Sequence, residues 1–418
     1  MFALGWLRTV EYDFYDFYLK LRSIQPPDSR IVIVGITEQD LRELNQSTLD
    51  DGTLVELIEK IKTQNPRVIG LDLHRNLPVC YDIKTCDRDR AKLATLFRNT
   101  PNLIGIETTS IVSKPEQAIL AHPELAKAQR IGASELIEDK DRLVRRSYFY
   151  FSKPNQENIF SFGAAVALKY LEAENIKLVV EGRSLKLNNT VFPKIPDKLK
   201  FYPSQEIDGY QILLNYHSRN HPFEFLSICK ILDGEFSADD LRDKIVLIGA
   251  AYELSKDIWY LPNSKSKENS RKFTYGVEVH AQLISSLLDA AFQERIVLKF
   301  MPGLWENAIV ILLLLEPGLF IYWLGKTTKK DLDLFNLTVV QLLLILGGGW
   351  VSIILGYWLP VANFIFITLV NATIISILIY QNRHEEEKLR LEKQVDRQTK
   401  ELQKALADLN KITREAVK

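Results

Sequence analysis

Four short runs decide the fold of the larger part of the chain: residues 31–37 (IVIVGIT, between Arg30 and Glu38), 68–73 (VIGLDL, between Arg67 and His74), 103–109 (LIGIETT, between Asn102 and Ser110) and 245–251 (IVLIGAA, between Lys244 and Tyr252). Each is rich in β-branched residues, contains a glycine and is bounded by polar residues, the pattern of a strand buried on both faces. Helical spacing separates the first three. Leu54, Leu57, Ile58 and Ile61 form one apolar stripe, and Ala91, Leu93, Ala94 and Phe97 suit a second. Strand and helix in alternation imply parallel strands joined by right-handed crossovers. The fold class is therefore α/β, with a mixed, largely parallel sheet and flanking helices. A longer strand with an exposed basic start is expected over Asp141 to Phe151, and amphipathic helices over Phe160 to Leu171 and Val277 to Leu288.

Outward from this core the chain changes character. Its 418 residues carry 53 basic and 53 acidic side chains, so no global charge draws it to nucleic acid. The charges are unevenly placed: seven fall in residues 301–380 and eighteen in residues 381–418. Between Leu334 and Asn382 no charged side chain occurs for 49 residues. One helix of that length would measure about 73 Å against a hydrocarbon thickness of ~30 Å, so the run reads as two crossings. The break falls at Gly356-Tyr-Trp-Leu-Pro360, where proline removes a donor and the aromatic rings suit a headgroup interface. Residues 300–324 supply an earlier span, giving three transmembrane helices over 300–380.

Lys326, Lys329 and Lys330 lie between the first two spans, the second connection is uncharged, and Arg383, Lys388 and Arg390 follow the third. The basic side is cytoplasmic. The tail is then inside, and residues 26–299 form an extracytoplasmic domain of a multi-pass protein in the cell membrane. Residues 1–25 read as an entry helix; the apolar stretch before Arg8 is too short to span, and a transmembrane helix upstream is expected. The alternative is that the lysine loop misleads and the domain is cytoplasmic.

Cys80 and Cys86 flank a polar loop at a spacing that suits either a small disulfide in an oxidising exterior or two unpaired thiols. Cys229, within the apolar LSICKIL, reads as a buried helix residue. Residues 381–418 hold a heptad seam: Leu391, Gln398, Ala405 and Ile412 alternate with Val395, Leu402, Leu409 and Ala416. Leu391, Val395, Leu402, Leu409 and Ile412 are its apolar core, and a marginal parallel homodimer is expected, with Gln398 fixing register.

Candidate ligand positions follow from the rule that open α/β sheets bind ligands beyond the carboxyl ends of their strands. They include Thr37, Glu38, Asp72, His74, Glu107, Thr108 and Gly249 to Tyr252. Asp257, Glu278 and His280 offer carboxylate and imidazole groups for a metal or hydrolytic site, although their spacing is not a metal signature. Glu278 and His280, two apart, face different sides of a helix, and His280 also reads as a structural histidine. Glu316 and Pro317 stand inside the first span, either as a coupling element or nearer an interface than the span's midpoint. Gly347 to Gly349 would permit close helix packing within the second. His384 reads as an interfacial residue. No phosphate loop, zinc helix, nucleophile elbow or paired CxxC is found, so no catalytic residue, metal or cofactor is assigned.

The segments Glu11-Tyr-Asp-Phe14, Lys20-Leu-Arg22, IVIVGITEQDL, RVIGLDL, Ile131-Gly132 with Asp139 to Arg145, LRDKIVLIGAAYELSKDIWYLP and YGVEVHAQLISSLL resemble, in order and spacing, the CHASE domain of type two. The resemblance spans roughly residues 10 to 292 and departs from the family in a polar insertion at 263–272. It implies a sensory module outside the membrane, three spans, and a signalling helix leading to a kinase or cyclase. No such output domain follows here, so the resemblance implies a receptor whose cytoplasmic effector is a separate protein or a missing extension. Two further classes stand beside it: a membrane-anchored hydrolase using Asp72, Asp257, Glu278 or His280, and a scaffold whose tail recruits a partner without sensing.

Overall fold

The four runs form the centre of a six-stranded parallel sheet in the order Glu224–Ser227, Ile31–Ile36, Ile245–Ala250, Val68–Asp72, Leu103–Glu107, Ile131–Ala133. The computed structural model describes residues 5–22, 25–109, 118–152, 157–195, 209–217, 222–262, 273–323 and 330–416. Alternate residues of each strand enter opposite core layers. Val32, Val34, Ile69, Leu71, Val246 and Ile248 pack with the helices Asp51–Thr63 and Ile83–Arg98. Ile31, Ile33, Val68 and Leu247 pack with Phe162–Glu172 and Gly276–Ala291. Cover on both faces is why the runs read as continuously apolar. The helices have local starts: Asp50 and Ser161 accept from the amides of Thr53 and Ala164 at their first turns. Gly163 lets the last two helices approach, since a Cβ there would lie 2.9 Å from Leu283.

A second, antiparallel sheet sets Arg146–Phe151 between Tyr210–Leu213 and Ile159–Phe160, and a three-stranded sheet follows at Leu178–Glu181, Ser184–Leu187 and Thr190–Phe192. The strand placed over Asp141 to Phe151 thus begins only at Arg146, and its basic start is not exposed. Arg145 and Arg146 are buried, at 0% and 2% exposure. Arg145 bonds Asp16 in a fork (2.8 and 2.8 Å) and reaches Asp139 and Asp141, while Arg146 takes Asp139 and Gln211. The decisive partner, Asp16, lies 129 residues away in sequence.

That partner sits on the entry helix, Gly5–Lys20, whose buried Leu7, Glu11, Tyr12, Tyr15 and Tyr18 follow helical spacing. Tyr12 lies beneath the Arg145 guanidinium at 4.3 Å. The chain divides into two compact units, and the first comprises Met1–Phe300 together with Val351–Trp358. Within it Tyr357–Trp358 pairs in parallel with Lys299–Phe300, and Gly356 takes a left-handed φ of 84° to make the bend. Trp358, 2% exposed, stacks on Tyr15 at 3.9 Å and on Phe300 at 5.0 Å, and its indole N–H donates to Glu11 at 3.1 Å.

The second unit comprises Met301–Trp350 and Leu359–Lys418. Its helices are Gly303–Trp323, most of Lys330–Ile354, and a continuous Val361–Ala416 that runs unbroken through the boundary drawn at residue 380. Two segments, Leu334–Ile354 and Val361–Ala407, are long and apolar enough to cross a membrane. Glu316 faces a neighbouring helix and accepts from Gln341 at 2.5 Å. Pro317, buried, cannot donate to the carbonyl of Leu313, and Asn371 fills that place, donating to the Leu313 and Leu314 carbonyls at 2.9 and 3.2 Å. Within the glycine run nothing lies within 4 Å of a Cβ at Gly347 or Gly348, whereas Gly349 is buried. On the tail, Leu391, Val395, Leu402 and Leu409 are 57–65% exposed, so the single chain leaves the seam uncovered. Lys326, Lys329 and the insertion 263–272 lie outside the described residues, as do the side chains of Lys330 and Ile412.

Candidate functional site: the acidic edge of the parallel sheet

At the carboxyl edge, Asp72 ends its strand and Asp257 enters on the loop that leads into Ile258–Trp259. The latter pairs with Thr274–Tyr275, which brings Asp257 against Gly276, the first residue of the core helix. The Gly276 amide donates to the Asp257 carbonyl at 3.1 Å, and the Trp259 indole donates to Oδ1 at 2.7 Å. A Cβ on Gly276 would fall 2.1 Å from Oδ2, so the carboxylate occupies the space that any other residue would fill.

Burial raises the Asp72 carboxyl well above the usual carboxylate range, and the negative charge of Asp257 raises it further. Burial raises Asp257 as well, against the pull of its bonds from Trp259 and Gly276. Two such carboxyls do not ionise independently, and the charge of one disfavours the charge of the other. Acidic groups continue along the edge: the Tyr275 phenol is pushed up by burial and then by Glu253, Glu278 and Glu38. The edge thus sets two carboxyls that resist ionisation beside further acidic groups.

The other sequence candidates go elsewhere. Thr37 and Glu38 open a short helix in which Thr37 and Asp40 form a reciprocal cap. His74 stays neutral, lowered by burial and by Arg75, and Glu107 stands buried at its own strand end near Glu135, which bonds Thr109. His280 does not join Asp257 and Glu278: it is 2% exposed, meets Phe162 edge-to-face at 5.1 Å, and burial pushes it down to about 4. It is a core histidine. Trp259, Tyr275 and Gly276 carry no signal of this role in the sequence, although KDIWYLP and YGVEVHA contain all three; only the pairing of these segments brings Trp259 and Gly276 against Asp257.

Among the described residues, one group of three metal-type ligands converges, Asp28, His217 and Asp289, with donor atoms within 4.8 Å. Its carboxylates are already neutralised. Arg30 bonds both aspartates, Arg295 bonds Asp289 at 3.0 Å, and Ser285 donates to Asp28. Two guanidiniums in contact with the cluster oppose a cation, and the group is an ionic clasp. Cys80 and Cys86 are joined in the structure by a disulfide of 2.03 Å.

A doubly covered α/β domain with an acidic edge, in one chain with two helices apolar enough to cross a membrane, fits a membrane-associated sensory protein. More particularly, the family model of the CHASE2 domain matches residues 1–319, and the chain belongs to this family of extracellular sensory domains. No curated protein and no solved structure matches the chain.

Proposed function

We propose that the protein is a membrane-bound receptor in which the CHASE2 unit reads an extracytoplasmic stimulus at its acidic edge and passes it through three membrane helices to a dimeric cytoplasmic tail and a separate effector. The observation that carries this reading is the place of Gly356 to Trp358. This connection between two apolar helices belongs to the sensory unit and is held by Lys299 and by Glu11 and Tyr15 of the entry helix. A chain that returns to its outer domain between its second and third crossings has its lysine connection and its tail inside, in agreement with the basic-side rule.

In this reading Asp72 and Asp257, with Glu278 close by, receive the stimulus. Glu107, His74 and His280 support the frame. Trp358 is the mechanical link, because a shift of the entry helix moves a ring fixed between two membrane helices. Glu316 and Pro317 hold the first span to the second and third through Gln341 and Asn371. The uncovered seam from Leu391 to Leu409 pairs with that of a second copy.

A chimera that continues residue 418 in frame into the catalytic core of a histidine kinase tests the whole path. Asp72→Asn and Trp358→Ala are each expected to change kinase output in membranes. Output equal to that of the unaltered chain in both variants, at equal expression, would refute signal transmission.

A further inference from the structure

Beside the core helix's exit, the hairpin residues Asn189 to Val191 and the segment Gln293 to Lys299 enclose a groove of ≈ 500 Å³, with Leu355 at its border. The groove has two chemistries. Val191, Ile296 and Leu355 are 44%, 45% and 62% exposed, an apolar strip left open to solvent. Lys299 supplies positive charge on the same walls, while Arg295, whose charge is met by Asp289, lines them without a free charge. The Arg295 side chain is only 9% exposed; Nη1 bonds Asp289 and Nη2 bonds Asn215 and the Tyr216 carbonyl, but the buried Nε has no partner. Lys299 Nζ lies 4.4 Å over the Tyr357 ring, and among the described residues no carboxylate pairs with it. The one acidic residue of the lining, Glu294, is turned to Arg30 at 3.1 Å. With Glu294 turned to Arg30 and Arg295 to Asp289, the charge the lining offers is that of Lys299, beside an apolar flank.

We infer that this groove binds one anionic phospholipid, its phosphate on Lys299 and the first carbons of its acyl chains along Val191, Ile296 and Leu355. Along the chain both walls adjoin the apolar helices: Lys299 and Phe300 come just before the helix that begins at Gly303, and Leu355 directly follows the apolar segment Leu334–Ile354. The inference rests on the proposed membrane reading, because only helices that span place the groove at headgroup level. A bound lipid there would touch the Lys299–Tyr357 pairing directly and make the hold on Trp358 sensitive to membrane composition.

The test uses the full chain, reconstituted with phosphatidylglycerol or with phosphatidylcholine and analysed by native mass spectrometry for lipid retained through activation. One phosphatidylglycerol is expected to remain per chain under conditions that strip phosphatidylcholine. Lys299→Glu, which reverses the charge, and Val191→Trp, which fills the groove from an exposed position, should each reduce retention by about tenfold. Inorganic phosphate in millimolar excess should not displace the lipid, since the apolar flank contributes to binding. Equal retention of the two lipids, displacement by phosphate, or retention unchanged in both variants would overturn the inference. Alkaline extraction of the same membranes separates the two claims: a chain that resists extraction but does not select phosphatidylglycerol overturns the lipid site alone, and a chain released by carbonate overturns the membrane reading with it.

Discussion

Single residues carry the chemistry of the acidic edge. Because the Asp72 carboxyl is raised in the folded chain, the native state holds its proton more tightly than the unfolded state does. The associated stability is complete below about pH 4, the unfolded value, and is lost as pH rises toward the folded value. Asp72→Asn removes the ionisable group. Its melting temperature should exceed that of the parent most at pH 7 to 8 and converge with it near pH 4, as read by thermal unfolding across pH; a gain that is constant with pH would sink the assignment. Cys229 makes a second residue-scale prediction. Burial, with Asp40 and Glu43 close by, pushes its thiol up to about 12, so it should resist iodoacetamide at neutral pH in the folded chain; rapid alkylation would contradict the packing. Asp72 and Asp257 were both legible from the sheet-edge rule. Their pairing was not, because nothing in sequence says that residue 257 returns to the end of a strand 185 residues earlier.

At the scale of elements, two contacts hold helices in place. Arg145 binds the entry helix through Asp16, and both side chains are nearly free of solvent. Asp16→Asn leaves a buried guanidinium short of one charge and should cost about 3–5 kcal/mol, measured by denaturant unfolding of the sensory unit's signal. Retained stability would show that Asp139 and Asp141 suffice. In the membrane unit, Asn371→Leu strips the Leu313 carbonyl of the donor that replaces the one Pro317 lacks, and should lower unfolding stability in detergent by about 1–2 kcal/mol. An additional Pro317→Leu change, which restores the helical donor, should recover most of it; no recovery would refute the pairing. The four central strands were readable because burial on both faces leaves an unbroken apolar run. The edge strands Glu224–Ser227 and Ile131–Ala133 were not: the first is half exposed and the second only three residues long, too short for any period to register. The basic start of the strand at Arg146 misled for a related reason, since charge predicts exposure until its partners are known.

For the molecule as a whole, the claim is a receptor whose sensory unit and second helix connection share one side of the membrane while the lysine loop and the tail share the other. The charge pattern of the sequence supports this arrangement through the lysines, and the structure supports it independently through Trp358, whose burial by the entry helix was invisible to hydropathy. The heptad spacing was legible in the sequence, and in the structure Leu391, Val395, Leu402 and Leu409 lie exposed on an unbroken helix. The proposed pairing requires a second copy of the chain. The most direct measurement is labelling of intact cells with a membrane-impermeant maleimide, using single-cysteine variants at Glu253, Thr327 and Lys393 in a background that keeps Cys80 and Cys86. The account predicts that Glu253→Cys is labelled in intact cells, whereas Thr327→Cys and Lys393→Cys are labelled only after the membrane is opened. Labelling of Thr327→Cys in intact cells, or protection of Glu253→Cys, would contradict it.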